Sequence, residues 1–210
     1  MLHKGVMLIW VWLACCGMAC AHPHSFINMQ ASLDIQEGQL TGMKMEWEMD
    51  EMTSADLLYD AGDAKPGSEV WKKLAAEVMA NVLGQHYFTE AYRDGQALKY
   101  LNRPTEYRLF RSGHKAVLEF VLPFAHPQPL SGAFSFMTYD PAYYVDMRYP
   151  DAKAVTLPAD APQGCQLELS TPQPDNALRT YALSLDKNDA PEEDMELGKQ
   201  FAQKVTLQCR

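Results

Sequence analysis

Two runs of alternating residues constrain this fold more than any other feature of the chain. Over residues 27–35 the odd positions hold Ile27, Met29, Ala31, Leu33 and Ile35, while the even ones hold Asn28, Gln30, Ser32 and Asp34. Met43, Met45, Trp47 and Met49 then alternate with Lys44, Glu46 and Glu48. Period-two alternation is the signature of a strand buried on one face, and Glu37-Gly38-Gln39 supplies the turn of a predicted hairpin. Centring that hairpin on Gly38 sets Asn28 opposite Glu48, Phe26 opposite Asp50 and His24 opposite Met52. Met43, Met45 and Met49 share a face with Trp47, so they read as core side chains rather than thioether ligands for copper(I).

Helical signals follow the hairpin. Asp50 opens a short helix from Glu51 to Leu58, and Ser68 with Glu69 opens a longer one carrying Val70, Leu74, Val78 and Val82. Beyond Gly84 strands return, with turns at Asp94-Gly95 and Ser112-Gly113. Phe134 to Thr138 and Tyr143 to Met147 add two more strands, Cys165 lies on another, residues 192–204 read as helical, and residues 205–209 close the fold. Strands dominate and the helices are inserted as a block. The predicted class is α+β, mainly antiparallel β in a twisted sheet or sandwich, with a helical pair after the first hairpin.

Residues 1–21 read as a signal peptide: Lys4 near the start, an apolar run from Val6 to Ala14, then Ala19-Cys20-Ala21 as a small-x-small cleavage site. The run is short of the ~20 apolar residues that a membrane span takes. Cleavage after Ala21 predicts a periplasmic protein beginning at His22, with residues 22–210 as a single domain and no direct membrane insertion. Lipidation of Cys20 is the rival processing route. The leader holds Lys4 and none of the 27 acidic residues, so the remainder is more acidic than the whole chain's net charge of −9. That balance disfavours nucleic acid as a partner and draws cations near. Of five cysteines only Cys165 and Cys209 lie beyond the leader, and in an oxidising compartment they most simply form one disulfide.

A chain cut before His22 has a free amine and two imidazoles within three residues. Imidazole suits zinc, nickel and copper. Pro23 has no N–H, which blocks the square-planar mode that uses deprotonated amides. The predicted hairpin brings Glu48 and Asp50 to the same end as His24, adding carboxylates. The fit is to zinc or nickel rather than calcium, which takes an all-oxygen shell. His114 and His126 read as solvated loop residues, and His86 as a core-edge histidine. The Asp60 loop fails the EF-hand spacing, with Gly62, Ala64 and Lys65 where oxygens and a glycine would be needed. Hydrolase-elbow, P-loop and Cys-x-x-Cys signatures are absent from the sequence.

Several motifs together resemble a known family: His22-Pro23-His24-Ser25-Phe26-Ile27, Trp47-Glu48-Met49-Asp50-Glu51 followed by Ser54, Tyr87-Phe88-Thr89, Thr138-Tyr139-Asp140-Pro141-Ala142-Tyr143-Tyr144-Val145, and the late Cys165. They are similar to domain-of-unknown-function family 1007, the ZevA-like periplasmic companions of inner-membrane transporters of the nickel/cobalt type. The resemblance covers nearly all of the chain after the leader. It implies a transition-metal-binding accessory protein for zinc or nickel that is not an enzyme. His22 and His24 would stand at its signature start, and Asp50, Glu51 and Asp140 would be the acidic residues inside shared motifs. Many relatives carry an acidic, calcium-loop-like run after the position of Leu58, and here Lys65 and Pro66 break it.

Tyr139-Asp140-Pro141 also admits a purely structural reading as an Asx-type turn. Two other functions stay open: an exported copper oxidase or chaperone, in which His22 would need His86 or His114 to converge on it, and a metal-free docking protein for a transporter.

Overall fold

The computed structural model describes residues 22–186, 189–192 and 195–209. The leader, its cleavage site and Cys20 lie outside the described residues. The first hairpin pairs β1 (Ser25–Gln36) with β2 (Gln39–Met49) antiparallel, and Asn28 faces Glu48 as the alternation predicts. The turn is the tighter two-residue form, since Gln36 pairs with Gln39 and both Glu37 (φ 51°) and Gly38 (φ 73°) are left-handed. A register shift between Asp34 and Ile35 makes up the difference. The pairing of His24 with Met52 does not form. Asp50 leaves the strand to cap α1 (Glu51–Ala61), which carries Met52 into the helix, where it is 82 % exposed.

The chain continues through α2 (Glu69–Gly84), a 3-10 turn at His86–Phe88, and β3 (Thr89–Arg93) with β4 (Gln96–Ala97). A second long hairpin follows, β5 (Tyr107–Ser112) and β6 (Lys115–Pro129), then β7 (Phe134–Thr138), β8 (Val145–Arg148) and β9 (Val155–Thr156). The last elements are β10 (Cys165–Ser170), α3 (Asn176–Ser184), α4 (Leu197–Phe201) and β11 (Lys204–Cys209). The class is α+β, with two mostly antiparallel sheets and the helical pair inserted after the first hairpin. One sheet runs β5-β6-β2-β1-β8, with β9 also beside β1, and the other runs β10-β11-β7-β3-β4. Among the described residues only β8 and β9 pair in parallel, both with β1.

Side chains from both sheets share one core. Met29, Met43, Met45, Trp47, Leu118 and Phe120 come from the first, and Ala91, Phe134, Phe136, Val205 and Leu207 from the second. The methionines on β2 therefore pack as core. The Cys165–Cys209 disulfide joins facing positions of β10 and β11.

Four expectations are corrected here. On α2 the buried stripe is Trp71, Leu74, Ala75, Met79 and Val82, with Val70 42 % exposed, because Trp71 turns inward and its indole N–H reaches the Ala64 carbonyl at 3.1 Å. Among the described residues of 192–204 the helix is the short α4, while α3, capped by Asp175 onto the Leu178 amide at 2.8 Å, was not anticipated. The strand expected from Tyr143 begins at Val145, because Tyr143 (φ 57°) sits in a left-handed turn. His86 is exposed rather than set at the core edge.

Candidate functional site

The start of β1 is held by three neighbours. The amides of His24 and Ser25 both donate to the Tyr144 carbonyl, at 2.9 and 3.3 Å, which ties the strand to the loop before β8. The Ser25 hydroxyl meets Thr53 Oγ1 at 2.6 Å, which ties it to α1. The His22 amide donates to the Ala182 carbonyl at 3.3 Å, and its ring Nδ1 lies 3.3 Å from the Leu185 carbonyl, which ties it to the end of α3. His22 is thereby 1 % exposed, although nothing in its local sequence is apolar enough to bury it.

The two imidazoles meet edge to face with centroids 4.8 Å apart, and Tyr144 packs on both, at 5.8 Å from His22 and 5.0 Å from His24. Nε2 of His22 and Nε2 of His24 are each buried without a hydrogen-bond partner. Such an unpaired buried polar atom carries a desolvation penalty of roughly 1–3 kcal/mol. Two of them, on rings whose centroids lie 4.8 Å apart and each able to present a lone pair, form a small nitrogen donor set.

The carboxylates named from the sequence have other neighbours. Asp50 Oδ1 accepts the Met52 and Thr53 amides at 2.8 and 2.9 Å, while Oδ2 accepts the Phe26 amide at 2.8 Å and the Thr53 hydroxyl at 2.6 Å. Burial alone would raise its pKa, but these bonds outweigh it and hold the carboxyl below the usual carboxylate range. Glu48 pairs with Lys115 at 2.6 Å, and Glu51 is exposed in the first turn of α1. Asp140 closes its own loop, Oδ1 accepting the Ala142 amide at 3.1 Å and Oδ2 the Val145 amide at 3.0 Å, an Asx-type arrangement. Among the described residues no three His, Cys, Asp or Glu side chains gather as a metal-holding group. The structure thus brings His22 and His24 together and gives Asp50 and Asp140 backbone partners. His86 and His114 are exposed, in the 3-10 turn and at the β5–β6 turn respectively, and the ring packed on His22 is that of His24.

Tyr144 and the carbonyls of Ala182 and Leu185 were not singled out by the sequence as parts of this site. The tyrosine's place in the Asp140-to-Val145 motif was the only pointer to it. Backbone carbonyls some 160 residues away leave no trace in a sequence pattern.

A concavity of about 630 Å³ lies on the outer face of the first sheet. One row of facing residues crosses it, Gln30, Glu46, Glu119 and Arg108. Arg108 grips Glu119 with two bonds of 2.6 and 2.8 Å, and the Gln30 amide donates to Glu46 at 2.9 Å. Burial first, then the charges of Glu119 and Glu48, raise the Glu46 pKa, against a lowering by Arg108.

A family described as "Protein of unknown function (DUF1007)" matches residues 7–209, which takes in the histidine pair, the Asp50 cap, the Asp140 loop and both cysteines. The chain belongs to the DUF1007 family. An uncharacterized protein of Haemophilus influenzae (strain ATCC 51907 / DSM 11121 / KW20 / Rd) is 41 % identical to it over 191 residues, covering 90 % of this chain and 91 % of the relative. Among the described residues no helix is long and apolar enough to cross a membrane.

Proposed function

We propose that this DUF1007 protein is an exported metal-binding accessory protein that holds zinc, or nickel, at the His22–His24 pair and passes it to an inner-membrane transporter of the nickel/cobalt type, without catalysing a reaction. The observation that carries the reading is the pair of buried, unpartnered Nε2 atoms on rings 4.8 Å apart. Two imidazoles on one tetrahedral zinc, with Zn–N of roughly 2.0–2.1 Å, place their centroids about 5 Å apart. Two protein nitrogens fill half of a tetrahedral shell, and a half-filled shell suits a carrier that must surrender its cargo. The leader-like residues 1–21 and the Cys165–Cys209 disulfide support export to an oxidising compartment. The transporter partner rests on the family resemblance.

The test is metal content and titration of protein purified from periplasm with its amino-terminus verified, beside a His22→Ala/His24→Ala variant. One zinc or nickel per chain, lost in the variant, is the expected result. Copper as the native metal would favour the oxidase or chaperone reading. Failure to bind any of the three would leave the docking protein.

A further inference from the structure

A chain that begins with histidine ordinarily offers a metal its terminal amine and its Nδ1, which close a chelate ring together. In this protein Nδ1 is turned elsewhere, so that ring cannot close. The His22 backbone nitrogen donates to the Ala182 carbonyl at 3.3 Å, and Nδ1 sits 3.3 Å from the Leu185 carbonyl. A carbonyl oxygen has only lone pairs to offer, so Nδ1 must be the nitrogen that carries the hydrogen, and the ring's own lone pair lies on Nε2. That Nε2 is the buried atom with no partner, and so is Nε2 of His24, whose ring centroid lies 4.8 Å from that of His22. A histidine ligand that donates its other N–H to a backbone carbonyl is the usual supporting arrangement of a metal site, since the bond fixes both tautomer and ring orientation.

We infer that the site binds metal through Nε2 of His22 and Nε2 of His24, with the carbonyls of Ala182 and Leu185 as positioning groups, and that the terminal amine is not a ligand. The inference rests on the metal-binding reading above and specifies its ligand atoms. It has a consequence for the metal. Nickel(II) and copper(II) gain from planar chelation by amine and amide nitrogens, which this geometry withholds, and Pro23 offers no N–H to replace them. Two imidazole nitrogens with open positions favour tetrahedral zinc, its remaining ligands coming from water or from the next protein.

The experiment compares zinc binding by the chain starting at His22 with a version carrying Gly-Ser ahead of His22, each checked for an unchanged melting temperature before zinc is added. Zinc affinity of the extended form within about threefold of the parent is expected, and two-bond proton–nitrogen correlations should place zinc on Nε2 of both rings. A loss of tenfold or more on extension, or zinc on Nδ1 of His22, would overturn the inference while leaving the metal-binding reading intact. No zinc binding by either form would overturn both.

Discussion

Phe26 and Asp50 bond to each other twice at the open end of the first hairpin. The Asp50 amide donates to the Phe26 carbonyl at 2.9 Å, and the Phe26 amide donates to Asp50 Oδ2 at 2.8 Å. The same carboxylate caps α1, so one side chain fixes where β1 begins, where β2 ends and where the helix starts. Asp50→Ala is expected to cost about 1–2 kcal/mol, the range for a lost amino-terminal cap, read as a lower urea midpoint. The sign of the pH dependence follows from the lowered folded-state pKa. This contribution is fully present above the unfolded-state pKa and is lost as pH falls through the folded-state value. Parent and variant should therefore converge in stability in acid, and a constant gap between pH 7 and the acid limit would contradict the assignment.

Gly198 lies against the Asp140 loop, its amide donating to the Pro141 carbonyl at 3.0 Å. A Cβ there would overlap the Asp140 carbonyl oxygen. Gly198→Ala must displace a loop whose Tyr144 carbonyl holds the amides of His24 and Ser25. The expected destabilisation is about 1–3 kcal/mol, the usual cost of overpacking, accompanied by weaker zinc binding. Thermal melting with a zinc titration checks both, and an unchanged melting temperature would show that the loop yields without strain.

Glu46 faces Glu119 directly across β2 and β6, and its pKa is raised. A raised carboxylate pKa means that ionisation opposes folding, so the penalty appears as pH rises through the folded-state value. Glu46→Gln is expected to stabilise the protein at pH 7 by about 0.5 kcal/mol, in line with relief of a like-charged cross-strand pair. The gain should vanish near pH 4. Denaturant midpoints at the two pH values decide it, and an equal gain at both would rule out the charge explanation.

The disulfide closes a stretch of 44 residues that contains α3 and α4. Restricting the unfolded chain by such a loop is worth about 2–4 kcal/mol. A Cys165→Ser/Cys209→Ser variant should lose that much in denaturant unfolding. Equal stability of variant and parent would mean that the β10–β11 pairing restricts the chain without the crosslink.

Local chemistry made part of this protein legible in the sequence. The hairpin register from Ile27–Met49 to Leu33–Met43, the burial of Met43, Met45 and Met49 beside Trp47, and the Asp50 cap were all readable. Strand faces alternate every two residues, and a cap bonds amides two or three positions away, so each signal lies within a few residues of its effect. The α2 face was less legible, because Trp71 and Val70 are adjacent apolar residues and only the Ala64 carbonyl decides which one turns inward. The His22-Pro23-His24 motif marked where a metal could bind but not what surrounds it. Lys115 draws off Glu48, the backbone engages Asp50 and Asp140, and the end of α3, 163 residues along the chain from His22, fixes the ring that the sequence left free. Which groups surround an imidazole depends on long-range packing, which no local periodicity encodes.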